Sequence, residues 1–298
     1  MGIFKKKFIR LYPVAIFIVI SAFIISLFGI KDFNLYANIL VLLNLHGTGM
    51  SVHLDGCSVI KPFWYVSSML WVLGIYYYML KNFDKKKVNF AIFLIVFFCY
   101  SFLINAKNGH INSIEQTFYH IFNVGFMRAL GGIGIGYIIG DWWKIYKEKI
   151  QQITFNTYQK IIVTFAEFIC LYFMINNLIL HRLKFNNHMI FIFDFIAIII
   201  LFVVKKGYIS QILNDSILGD ISVNLAKYTY SLYMVHKLVF AILAGSLWKY
   251  HTEFVYTHPL GNVILTLSLV MIFGVFTYHC VEQPCGNFLK HTIKSKHN

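Results

Sequence analysis

The sequence predicts an all-α fold, a polytopic transmembrane helix bundle of about eight spans, and three observations carry that expectation. Hydrophobic residues make up 58% of the 298 positions and charged ones only 13%, whereas a soluble domain of this size has about a quarter of its residues charged. Apolar runs of about 17 residues or more recur along the chain, long enough to cross a bilayer as helices. The net charge of +14 is dispersed in short basic clusters between those runs. That is the pattern of membrane insertion rather than a nucleic-acid face. No Pro/Gly/Ser-rich linker divides the chain, so a single membrane domain over 1–298 is expected.

The first basic cluster, Lys5, Lys6, Lys7 and Arg10, precedes an apolar run over 11–30. The run is too long for a cleaved leader and reads as a retained span. Residues 31–61 are only moderately apolar and are expected outside the membrane, with a short interfacial helix near Leu40. Further spans are expected at 62–80, 89–105, 119–140, 160–180, 189–204, 229–248 and 260–280. Residues 207–227 read as an amphipathic connector. Within 119–140, Gly132, Gly136 and Gly140 form a small-residue ridge of the kind that lets helices approach closely in lipid. The five cysteines contain no C-x-x-C pair, so they read as small buried hydrophobes.

Eight spans leave both termini on one side, and charge assigns that side. The segments so placed inside hold 18 of the 26 basic residues and those outside hold six, with Arg128 and Lys237 within or near spans. Lysine excess marks the cytoplasmic face. A cell (inner) membrane protein with cytoplasmic termini is the expectation, and abundant Asn, Lys, Ile and Phe suggest a bacterial source.

Polar groups inside spans are the candidates for chemistry, because each costs on the order of 2.5–3.5 kcal/mol at the bilayer centre unless it is paired or hydrated. Arg128, Glu167 and Asp194 are the ionisable ones, and the simplest arrangement pairs Arg128 with one of the two carboxylates. That pair is either a structural clasp or part of a substrate site. In the span at 229–248, Thr229, Tyr233, His236 and Phe240 share a helix face. They serve either as interhelical hydrogen-bonding glue or, through the neutral imidazole of His236, as a general base. Trp64, Ser67, Ser68 and Trp71 share another face. Trp64 there is an interfacial anchor or a platform for a sugar ring. The histidines lack the H-x-x-x-H spacing of a helical metal site, so no metal is expected.

Four stretches resemble one family, in order along nearly the whole chain. Lys6-Lys7-Phe8-Ile9-Arg10-Leu11-Tyr12-Pro13 is similar to a basic "R-x-x-R-I-x-P" motif, and Trp64-Tyr65-Val66-Ser67 to a "W-x-x-S" motif. Lys227 to His236 resembles "G-x-x-S-Y-x-x-Y-L-x-H", and Val281-Glu282-Gln283-Pro284 resembles "x-E-x-P". These are motifs of the membrane acyltransferase 3 family. The resemblance implies an integral-membrane O-acyltransferase, transferring an acyl group, usually acetyl, from cytoplasmic acyl-CoA to hydroxyls of an extracytoplasmic glycan or its lipid-linked precursor. It implies no bound cofactor, acyl-CoA as co-substrate, and the lipid bilayer and the glycan as partners.

Within that frame His236 is the candidate catalytic base. Lys7, Arg10, Trp64, Ser67, Arg128, Tyr230, Ser231 and Tyr233 are candidate substrate contacts, with the basic ones meeting the CoA diphosphate. Glu167, Asp194, Glu282 and Pro284 are candidate structural residues, Pro284 ending the last span. The family's catalytic His follows an Arg by eleven positions; here those positions hold Ser21, Ile139 and Phe193. The chain is therefore expected to correspond to the family without its first two spans, with a question over its activity in isolation. The competing reading is a transporter or flippase of a lipid-linked saccharide, using the same intramembrane charges as a substrate path.

Overall fold

The computed structural model describes residues 2–30, 33–45, 62–106, 117–118, 122–180, 187–246, 249 and 257–288. Apart from one two-residue β pair, Thr117–Phe118 with Phe122–Asn123, its regular structure is helical. The helices are α1 (Gly2–Leu27), α2 (Leu35–Leu42), α3 (Phe63–Asn82), α4 (Lys85–Ala106), α5 (Val124–Gln152), α6 (Thr157–Leu180), α7 (Asn187–Val204), α8 (Tyr208–Asp215), α9 (Ile217–Ala226), α10 (Thr229–Gly245) and α11 (Pro259–Thr277).

Five of the expected spans coincide with helices long and apolar enough to cross a membrane, at Arg10–Leu27, Phe63–Asn82, Lys85–Ile104, Thr157–Asn176 and Pro259–Phe288. The protein is a multi-pass membrane protein. The other three expected spans correspond to α5, α7 and α10. Helix α5 starts only at Val124, after the β pair, and its 29 residues include Arg128, Asp141 and several lysines. Helix α10 has 17 residues, about 25 Å at 1.5 Å per residue. Positions 119–121 and 247–248 of those expected spans lie outside the described residues.

The chain divides into two compact units. The first gathers residues 1–77, 119–126 and 226–298. Its core joins Val14 and Ile18 of α1, Phe63, Val66 and Leu70 of α3, and Met234, Val235 and Leu238 of α10. These recur every three or four positions, as one apolar stripe per helix requires. Helix α10 packs chiefly on α11 and α1. Gly274 of α11 makes that crossing close, since a Cβ there would lie 2.3 Å from Leu232 Cδ2.

The second unit holds residues 78–118 and 127–225. On α4, Val88, Ile92, Cys99 and Leu103 form a buried stripe, while Phe90, Phe93, Phe97 and Phe98 are exposed. An aromatic face so exposed is suited to lipid tails, which solvate it as well as another helix would. The expected ridge of Gly132, Gly136 and Gly140 is corrected: a Cβ at any of them would meet nothing within 4 Å. Their spacing sets a face, but no described helix closes on it.

Candidate functional site

Three of the four motifs converge at one end of the first unit. Glu282 is 2% exposed, a carboxylate that its surroundings must satisfy. Arg10 Nε donates to its Oε1 at 2.5 Å, and the Ser231 hydroxyl donates to its Oε2 at 2.7 Å. A second Arg10 nitrogen reaches the Lys227 carbonyl at 3.4 Å. At the residue after Arg10, the Tyr230 hydroxyl donates to the Leu11 carbonyl at 2.8 Å, two positions before Pro13 inside α1. Helices α1 and α10 and the end of α11 are thus tied through four side chains, of which Arg10 alone remains half exposed.

The backbone explains how Glu282 comes to face inward. After α11 the chain makes a π-turn, Tyr278–Glu282, and continues helical over 283–288. Proline has no N–H to continue the α ladder, and its ring collides with the carbonyl four residues back. Widening the preceding turn accommodates Pro284, with the Gln283 amide bonding the Tyr278 carbonyl. The expectation that Pro284 ends the helix is corrected: it sits within it and shifts its register. Such π-bulges recur at functional sites. The same turn places His279 Nε2 3.3 Å from the Tyr228 hydroxyl.

His236 lies elsewhere on α10. Ser231, Met234, Val235 and Leu238 form its buried side, while Tyr233, His236 and Phe240 form a half-buried edge. The structure therefore does not bring His236 to the Arg10–Glu282–Ser231 cluster. Five positions separate Ser231 from His236, about 7.5 Å along the axis and about 140° around it. His236 Nδ1 meets the Tyr233 carbonyl of its own preceding turn. A carbonyl only accepts, so Nδ1 carries the proton and Nε2 keeps its lone pair. The ring rests between Tyr233, at 5.6 Å between centroids, and Phe240, at 5.9 Å. Tyr233 in turn donates to the Pro62 carbonyl at 3.2 Å and packs edge-on to Tyr65.

On α3 the expected shared face divides. Trp71 is exposed and donates to the Asn44 carbonyl at 2.9 Å. Trp64 instead packs on the backbone of Gly125, where a Cβ would lie 2.8 Å from the indole. Ser67 is fully buried, with no hydrogen-bond partner for its hydroxyl among the described residues. Lys7 belongs to α1, and its side chain lies outside the described residues.

In the second unit the two intramembrane carboxylates take local partners, which corrects the pairing with Arg128 expected from the sequence. Glu167, fully buried, accepts from the Ser210 amide at 3.3 Å. One turn earlier on α6, Thr164 Oγ1 accepts from the Tyr208 amide at 2.8 Å. Together they cap the N-terminus of α8 from outside, where Gly207 supplies no side chain. The first amides of a helix lack intrahelical partners, and its positive end favours a carboxylate. The neighbour of Asp194 is the Cys170 thiol of α6. Arg128 lies within electrostatic range of Tyr100.

The sequence reading also passed over a cluster joining α4 and α5. Lys85 Nζ meets Asp141 at 2.6 Å, Asn89 donates to the same carboxylate at 2.9 Å, and the Tyr137 hydroxyl donates to Asn89 at 2.7 Å. The signal was present: Lys85 with Asn89 and Tyr137 with Asp141 are each spaced i, i+4 and so lie on one face of their helices. The Lys85 ammonium, and then Asn89, hold the Asp141 carboxyl below its ordinary range.

No curated protein and no solved structure matches the chain. A family model described as an acyltransferase domain matches residues 1–279, which takes in α1, α3 and α10 whole and the π-turn as far as His279. With that match over nearly its whole length, the chain belongs to the membrane acyltransferase 3 family.

Proposed function

We propose that this membrane acyltransferase is an O-acyltransferase that moves an acyl group, acetyl in the simplest case, from acyl-CoA to a hydroxyl of an extracytoplasmic glycan or its lipid-linked precursor. The observation that carries the reading is the acyltransferase-domain match over residues 1–279. The lysine excess at one side of the spans supports a cell-membrane orientation with both termini cytoplasmic. The charged donor would then arrive at the end where Arg10 sits. Arg10 has five N–H donors, and its side chain is 53% exposed. With Glu282 and Lys227 orienting the guanidinium, its outer edge suits a CoA diphosphate.

In the transfer step, His236 Nε2 accepts the proton of the acceptor hydroxyl as its oxygen attacks the thioester carbonyl carbon. The tetrahedral oxyanion collapses, the C–S bond breaks, and the CoA thiolate takes the proton from the imidazolium. The Nδ1 contact to Tyr233 holds the tautomer that this step needs. General-base catalysis contributes about 10²–10⁴-fold. His236→Gln, reconstituted in liposomes with acyl-CoA and a glycan acceptor, should therefore lose at least about 10²-fold in transfer rate, with an unchanged unfolding midpoint. Undiminished transfer by that variant would remove His236 from the mechanism. Transport of the saccharide without acylation by the wild-type protein would replace the reading with a flippase.

A further inference from the structure

Where α5 and α7 end, at the lysine-rich side of the second unit, they border an open pocket of about 680 Å³. Trp143 and Lys147 line it from α5, one turn apart on a single face. Ile199 and Phe202 of α7 form an apolar wall, and Lys205 and Lys206, immediately after that helix, close the rim. Among the described residues, three ammonium groups and no carboxylate line the space.

The rim is built rather than loose. The Lys206 ammonium donates to the Ile153 carbonyl at 2.8 Å and lies 3.3 Å from the Gln151 carbonyl. Two of its three N–H groups are thereby directed, and the third completes a tripod. Lys205 occupies the left-handed region, φ +55°, at the position after a helix where glycine is the usual residue. A lysine held in that conformation keeps a charge at the rim at a cost in backbone strain, and its ammonium donates to the Asn214 side-chain oxygen, leaving two N–H groups for a ligand.

We propose that this pocket binds an anionic phospholipid, its phosphate at Lys147, Lys205 and Lys206 and its acyl chains along the Ile199–Phe202 wall. The shared chemistry, a phosphate ester beside an apolar body, also describes a nucleotide. The lipid is favoured because the apolar wall belongs to α7, an apolar helix that the sequence reads as a span at 189–204, so acyl chains follow it without leaving lipid. Basic pockets between spans at the lysine-rich face have this property in general. Trp143 follows the expected span at 119–140 by three positions, where aromatic side chains prefer the headgroup interface.

The test uses the full chain in nanodiscs of equal phosphatidylglycerol and phosphatidylcholine, with the lipids retained on release read by native mass spectrometry. Wild-type protein should retain phosphatidylglycerol in preference. Each lysine at such a surface is worth about fivefold in affinity. Lys147→Gln combined with Lys205→Gly should therefore cut the preference by about 25-fold. Glycine relaxes the positive φ at 205, so the double variant should keep its unfolding midpoint, and the single Lys205→Gly variant reports the charge effect apart from folding. Equal retention of both lipids by the wild type, or an undiminished preference in the variants, overturns the proposal. Displacement of phosphatidylglycerol by adenosine 3′,5′-bisphosphate overturns it too, and assigns the lysines to a soluble phosphate ligand.

Discussion

Removing Arg10 tests whether the convergence of three motifs is a clasp or only a contact. Glu282 is 2% exposed and has two described donors, Arg10 and Ser231. Arg10→Ala leaves a buried carboxylate with a single neutral donor. Breaking a fully buried pair in this way costs about 3–5 kcal/mol. Arg10 is half exposed, so water enters the vacated space and screens part of that loss; about 2–3 kcal/mol is expected. Glu282→Gln removes the charge but keeps an acceptor for Ser231, and should cost about 1–2 kcal/mol. The double variant no longer buries a charge. Its cost should fall short of the sum of the single variants by about 1.5–2 kcal/mol. Unfolding free energies from SDS titration in mixed micelles measure all four species. Strict additivity, or an Arg10→Ala variant within about 0.5 kcal/mol of wild type, would show that Glu282 is satisfied without the arginine. An Arg10→Ala protein of full stability that loses transfer would move Arg10 wholly to substrate binding.

Three further outcomes follow from the packing. Gly274→Ala should destabilise by about 1–3 kcal/mol through overpacking, because its methyl meets Leu232 at 2.3 Å. Gly136→Ala, facing open space, should be neutral or stabilising by up to about 1 kcal/mol in the same titration. At Gly207 an added Cβ would lie 2.2 Å from a Glu167 carboxylate oxygen, so Gly207→Ala should displace the cap on α8 and increase amide hydrogen exchange in 208–215. The Asp141 carboxyl, held low by Lys85, lends stability that is complete above the ordinary carboxylate range and is lost as pH falls through its depressed value. Asp141→Asn should flatten the acid side of a melting-temperature profile, and an unchanged acid limb would leave the pair without energetic weight.

The helices were legible because apolar length is a local property, readable without knowing any partner. Arg10, Ser231 and Glu282 were each picked out by motif resemblance, yet nothing local showed that they meet. Their meeting depends on helix rotation and on the π-turn that re-aims Glu282. Charge matching failed for the same reason at Glu167. The sequence offered Arg128 as an opposite charge, whereas the structure supplies backbone amides of α8, which no inventory of side chains contains. The glycine ridge shows the converse error. Spacing at every fourth position fixes a shared face, but the face at 132, 136 and 140 has no described neighbour within 4 Å. Within the motif at 227–236, helical periodicity separated Ser231 from His236, and the structure keeps them on different sides of α10.

The Arg10–Glu282 bond joins residues 272 positions apart, and this sets an order for biogenesis. At about 5–20 residues per second, some 15–55 s pass between synthesis of the arginine and arrival of its carboxylate. During that time the entire second unit is made, since its residues lie between the segments of the first. Helix α1 must therefore wait in the bilayer, without its final ion-pair partner, until the last span is inserted. A ribosome stalled before Glu282 holds a chain whose helices have formed while its first unit is still unlatched. The latch is a closing step in assembly, and protease access to α1 in stalled nascent chains should fall only after residue 282 has left the ribosome.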